Sequence, residues 1–244
     1  MTIWHERAGA GEPVVLLHSS AADSGMWDGQ WEALTARFDV IRVDFRGYGH
    51  TPYQAEAPYS DAGDVAELLA GLGVGRARLV GSSYGCRVAL ALAARGLAER
   101  LVLLNPGSDL PETPDVIAFS EEEDRLIEAG DLDAAAELNA RTWLGPEAGA
   151  AAAKRLTEMQ RGAFALQMAA DPEPEQLTPG YTLADLDVPA LVVLGAHDLE
   201  FFRLSARHVA AELPQGRLVE LDWAGHLPAL ERPAEITGLL LDYL

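Results

Sequence analysis

Short, mainly apolar runs recur along this chain at Val14–Leu17, Ala77–Val80, Leu101–Leu104 and Ala190–Leu194, with Arg217–Leu221 as a further candidate. Each is only four to six residues long and is bounded by glycine, proline or charged residues. Runs of that length predict strands, and the strongly apolar ones predict strands covered on both faces. Helical patterns lie between them. Cys86–Ala94 (CRVALALAA) is rich in alanine and leucine, and Pro233 is well placed to open a C-terminal helix. Strands alternating with helices predict an α/β fold with a mostly parallel central sheet flanked by helices.

The strand rhythm stops after Leu104 and resumes only at Ala190. Ser120-Glu121-Glu122-Glu123 has the spacing of a capping box and predicts a helix opening there and closing at Gly130. A second helix is predicted from Asp131 or Asp133 to about Gly145-Pro146. A third runs from about Glu147 until Asp171-Pro172-Glu173-Pro174 stops it. Leu156, Met159, Ala163 and Leu166 share one face of that third helix. The region is also the most acidic: residues 108–180 hold 16 Asp or Glu against 5 Lys or Arg, which places −11 of the net −20 there.

A length of 244 residues suits one large α/β domain, and 49% hydrophobic against 23% charged residues is the balance of a globular core. The net charge of −20 argues against nucleic acid or an anionic membrane as partner. Met1–Arg7 has no apolar core of a signal peptide, and no apolar stretch approaches the ~20 residues of a membrane helix. With a single cysteine, Cys86, there is no internal disulfide to form, and the expected location is cytoplasmic.

The chemistry starts at Gly81-Ser82-Ser83-Tyr84-Gly85, a G-x-S-x-G sequence between a predicted strand and a predicted helix. That context places Ser83 on a sharp turn too tight for side chains at 81 and 85, beside free helix N-terminal N–H groups. A serine hydroxyl needs a histidine base and a carboxylate to orient it. Asp198 follows the predicted strand at Ala190–Gly195, and His226 lies just beyond the one at Arg217–Leu221. Asp109, after the preceding strand, is the rival acid. The order Ser83, Asp198, His226 is one of the known chain orders for such a triad. Other chemistries lack their signatures. Lys154, the only lysine, follows alanine and forms no phosphate-binding loop; Gly71-x-Gly73-x-Gly75 precedes a strand instead of following one; and no histidine or cysteine cluster has metal-ligand spacing.

With these motifs in place the chain resembles the α/β-hydrolase family over nearly its whole length. Val14–Ser20 with Trp27 downstream looks like its oxyanion loop, Val43–Thr51 (VDFRGYGHT) like its D-x-R-G-x-G-x-S segment, and Gly225–Pro233 (GHLPALERP) like its G-H-x-x-x-x-E-x-P ending. The resemblance implies a core domain of residues 1–107 and 181–244, with residues 108–180 as a helical cap inserted after the sixth strand. It implies a cofactor-independent serine hydrolase of a small carboxylic ester or lactone, with Ser83, Asp198 and His226 as triad and no bound metal. The backbone N–H groups of Tyr84 and Ser20 form the expected oxyanion hole. Phe119, Trp143, Phe164 and Met168 are the candidate substrate-lining residues of the cap, and His18 is expected to hold the oxyanion loop. A hydrolase of carbon–carbon or amide bonds, or a receptor-like binding protein on the same scaffold, are the alternatives. Ser19 stands where the family usually has glycine after the histidine; if that backbone is strained, a non-glycine residue costs about 1–3 kcal/mol, and a loop shaped differently from the common form is expected. Cys86 replaces a common second glycine after the elbow, implying a slightly wider strand–helix spacing.

Overall fold

A computed structural model describes residues 3–244. Seven strands form one sheet: β1 (His5–Gly9), β2 (Pro13–Leu17), β3 (Asp39–Val43), β4 (Ala77–Ser82), β5 (Ala98–Leu104), β6 (Ala190–Gly195) and β7 (Gly216–Leu221). Their spatial order is β1-β3-β2-β4-β5-β6-β7, and only the β1/β3 pair is antiparallel. Because side chains alternate across a strand, the apolar runs supply two cores at once. Val15, Leu17, Leu79, Leu101, Leu103, Val192 and Leu194 point to one face, and Val14, Leu16, Val80, Val102, Leu104, Leu191 and Val193 to the other. Helices α2 (Asp61–Gly71), α3 (Tyr84–Ala94) and α7 (Glu200–Glu212) cover the first face. Helices α1 (Asp28–Thr35) and α9 (Pro233–Tyr243), with the short α8 (Pro228–Glu231) between strand and helix, cover the second. No helix among the described residues is long and apolar enough to cross a membrane.

Strand order reverses between β2 and β4, since β2 leads back to β3 on one side while β4 starts the run toward β7 on the other. In open parallel sheets the crevice at the carboxyl ends of such a pair is the natural ligand site. Here it lies between the loop after β2, carrying His18, Ser19 and Ser20, and the turn after β4, carrying Ser83.

Three helices fill the gap between β5 and β6: α4 (Pro114–Glu128), α5 (Leu132–Trp143) and α6 (Ala150–Met168). Counted along the chain, β5 is the fifth strand and not the sixth, although the helical stretch follows Leu104 as expected. Helix α5 starts with Asp131 as N-cap, its carboxylate accepting the Ala134 N–H at 3.1 Å. The capping-box expectation at Ser120 fails, because Ser120 lies inside α4. Pro114 at the first helical position, preceded by Thr113 in extended conformation, starts the helix seven residues earlier than a cap at Ser120 would. The Glu123 carboxylate is consequently free for another partner. Leu156, Met159 and Ala163 are buried on one face of α6, as their spacing predicts, together with Phe164; Leu166 is half-buried.

Candidate active site

Ser83 sits between β4 and α3 with φ 51° and ψ −114°, one of two non-glycine residues at positive φ among those described. Such a conformation costs on the order of 1–3 kcal/mol, and the surroundings hold it in place. Its N–H donates to Leu104 O (2.8 Å) and its carbonyl accepts the Cys86 N–H (2.9 Å). The flanking glycines are required sterically: a Cβ on Gly81 would lie 2.5 Å from Gly85 O. The buried Cys86 thiol lies 3.2 Å from Gly81 O and 3.4 Å from Leu104 O, its one S–H shared between them. Burial pushes that thiol well above its ordinary pKa, so it is a weak donor and not a nucleophile. Ser82, one residue earlier, is fully buried and its hydroxyl has no partner.

At the same carboxyl end of the sheet the loops after β6 and β7 meet, the His197 N–H donating to Ala224 O (2.9 Å). His226 Nδ1 lies 2.6 Å from Asp198 Oδ2, both residues buried, and Asp198 Oδ1 accepts the Leu199 N–H (2.7 Å). The rings of Phe202 and Trp143 pack on the His226 imidazole at centroid distances of 4.2 and 4.7 Å. Ser83 and His226 line one cavity of about 490 Å³, along with Ser20, Phe119, Phe164 and Met168. Asp109 is elsewhere. Its side chain is 98% exposed and pairs only with Arg87. His197, beside Asp198, is exposed.

The loop after β2 is shaped by His18. Its Nε2 accepts the Phe45 N–H (3.0 Å), which leaves the proton on Nδ1, 2.8 Å from Ser19 O. Full burial lowers the His18 pKa, consistent with this neutral form. Ser19 is not at positive φ, so the backbone there is one a serine adopts without strain. Its hydroxyl accepts the Ala21 N–H (3.1 Å) and its carbonyl the Ala22 N–H (3.0 Å), so the side chain closes the turn that glycine would leave loose. The backbone N–H groups of Ser20 and Tyr84 make no hydrogen bond among the described residues. Both residues line, with Ser83, a second cavity of about 320 Å³, and Ser20 lines the first as well.

Two further residues build the site and were not singled out from the sequence. Asn105, at φ 49° directly after β5, donates through Nδ2 to Gly225 O (2.9 Å) and His226 O (2.7 Å) and accepts the Gly195 N–H at 2.7 Å. One buried side chain thus ties the ends of β5 and β6 to the histidine loop. Glu231, from the G-H-x-x-x-x-E-x-P segment, accepts the Gly225 N–H (3.1 Å) and the Gly145 N–H (3.0 Å). Burial raises its pKa, opposed by those backbone donors. The signal for Asn105 was present, a polar residue ending an apolar strand run as Asp198 does, but without a motif around it.

A turn-mounted serine, a histidine–aspartate pair and two open backbone donors thus lie together at the carboxyl edge of a mostly parallel sheet on an α/β scaffold. A model of the alpha/beta hydrolase family matches residues 14–238, and the chain belongs to that family as a hydrolase. It is 30% identical over 262 residues to the pimeloyl-acyl-carrier-protein methyl ester esterase of Chromobacterium violaceum, covering 100% of this chain and 98% of that one. It is 29% identical over 252 residues to a protein named as a carbamate hydrolase in Pseudomonas savastanoi pv. phaseolicola, with 98% of this chain and 96% of that one covered. Among solved structures, the enol-lactonase from Burkholderia xenovorans LB400 superposes with a TM-score of 0.77 at 28% identity, covering 99% of this chain and 95% of that one.

Proposed function

We propose that this hydrolase cleaves a small carboxylic ester or lactone through an acyl-enzyme on Ser83. The observation that carries the proposal is the buried His226–Asp198 pair at 2.6 Å facing the cavity that Ser83 lines. His226 takes the Ser83 proton as the hydroxyl attacks the carbonyl carbon, and Asp198 holds the imidazole with its proton on Nδ1. The Ser20 and Tyr84 N–H groups receive the oxyanion, each such donor being worth about 3–4 kcal/mol of barrier. His226 then protonates the leaving alcohol, and water repeats the sequence on the acyl-enzyme. Residues 108–180 act as a cap over this site and select the substrate, because the triad and donors touch only atoms common to all esters. Phe119, Trp143, Phe164 and Met168, all from α4–α6, line the cavity and serve as the apolar contacts. The relative named as a carbamate hydrolase supports a second reading, in which the same groups open a bond to nitrogen.

A fluorophosphonate tests the assignment. Native protein and the Ser82→Ala variant gain one adduct by intact mass, and Ser83→Ala gains none. An adduct that persists in Ser83→Ala overturns it.

A further inference from the structure

The cavity is not purely apolar: serines, tyrosines, side-chain amides and carboxylates line it as well. Helix α5 brings Asn139 to the wall, where Oδ1 accepts the Trp143 indole N–H at 2.7 Å. An indole N–H only donates, so the Asn139 amide is fixed with Nδ2 turned away, donating to Ala135 O (3.0 Å) and to Glu123 Oε1 of α4. Glu123 is half-buried and lines the cavity, its second oxygen bonds to nothing among the described residues, and no cation pairs with it. Gln160 of α6 adds an independent observation. It lines the same cavity, is only 5% exposed, and its buried terminal oxygen has no partner. No Lys or Arg lines the cavity, whereas a second carboxylate, Glu173, does.

A buried acceptor left open, as in Gln160, at a wall that also carries Phe119, Phe164 and Trp143 is unfavourable in the free protein. Burial already lifts the Glu123 carboxyl, with the Asn139 hydrogen bond opposing it only in part. A ligand donating hydrogen bonds and carrying positive charge satisfies both groups at once. We propose that Glu123 and Gln160 form a subsite for a protonated primary amine carried by the substrate away from its scissile carbonyl. Asn139 acts through Glu123 as a positioning residue. This rests on the assignment of Ser83, His226 and Asp198 as the reacting groups, and it names the class of substrate they serve.

Two matched pairs test it by pH-stat: methyl 6-aminohexanoate against methyl heptanoate, and 5-aminopentyl acetate against hexyl acetate. In each, an ammonium is exchanged for a methyl group, on the acyl or the alcohol side. Native enzyme is expected to favour the ammonium member of at least one pair by about 10-fold or more in kcat/KM, since truncating one partner of a buried charged hydrogen bond has effects of that order. Glu123→Gln should lower that preference on the order of 10- to 100-fold, and Gln160→Leu should lower it less. Preference for the methyl member in both pairs, or an undiminished ammonium preference in Glu123→Gln, overturns the proposal. A binding arm keeps this separate from the triad. Hexylammonium should bind Ser83→Ala protein in calorimetry, and at least 10-fold more weakly when Glu123→Gln is added. Such binding alongside failed fluorophosphonate labelling of the native enzyme would keep the subsite and remove the triad. No binding to Ser83→Ala at millimolar hexylammonium, with labelling intact, would do the reverse. Circular dichroism of each variant identifies a chain that has not folded, and Gln160→Leu then carries the comparison.

Discussion

Replacing Asn105 with glycine removes one acceptor and two donated hydrogen bonds from a fully buried position while leaving the φ of 49° unstrained. The carbonyls of Gly225 and His226 and the N–H of Gly195 lose their partner. A buried group stranded in this way costs about 1–3 kcal/mol, so the three together cost roughly 3–6 kcal/mol, with carbonyls at the lower end. Against a typical total stability of about 5–15 kcal/mol that is a large fraction. Asn105→Ala should be worse by about 1–2 kcal/mol, because alanine resists the left-handed conformation. Urea unfolding followed by tryptophan fluorescence gives both numbers, and for a chain of this size each kcal/mol corresponds to about 2–4 °C in melting temperature. Activity should fall as well, since the His226 carbonyl is one of the three anchors. A glycine variant within 1 kcal/mol of native, or one less stable than the alanine variant, refutes the reasoning.

Asp198→Asn should lower kcat by about three to four orders of magnitude through loss of the correct histidine tautomer. Asp109→Asn should change it less than about twofold, its ion pair with Arg87 being exposed and weak; the opposite ranking in steady-state kinetics would move the acid. Asp61 gives a pH signature. Burial pushes its carboxyl up to about 6 despite hydrogen bonds from Tyr84 Oη (2.7 Å) and Gln176 Nε2 (2.6 Å). The folded state therefore holds this proton more tightly than the unfolded chain. Stability from this group is greatest below about pH 4 and falls as pH rises to about 6, by up to about 3 kcal/mol. Asp61→Asn should flatten that window relative to native in urea midpoints measured from pH 4 to 8, and identical pH profiles would contradict it.

Most of the sheet is legible in the sequence because its strands are buried on both faces, so the apolar run and the strand coincide. The edge strands are less so. β1 (HERAG) has no apolar pattern, and its pairing with β3 depends on a neighbour that local sequence does not specify. Ser83, Asp198 and His226 are legible because each sits where a strand ends. The start of α4 is misread at Ser120 because a capping box is a local preference, and the proline at 114 prevails over it. Glu123 and Gln160 are invisible as cavity residues for a different reason. They lie on separate helices among many surface acids and amides, and only tertiary packing turns them inward. Asn105 is similar, its three partners coming from positions 195, 225 and 226.

The seam between α5 and the histidine loop bears on how such an enzyme is rebuilt. Trp143 O accepts the His226 N–H at 2.8 Å, and Gly145 and Gly225 share the Glu231 carboxylate. A graft that exchanges the whole helical region for that of a relative therefore cuts through the support of the imidazole as well as the wall of the pocket. Residues 143–145 belong, in engineering terms, with the scaffold, and the exchangeable module is split into two pieces on either side of them. Recombination that respects this junction can vary the cavity wall in α4 and α6 while leaving the supports of His226 intact.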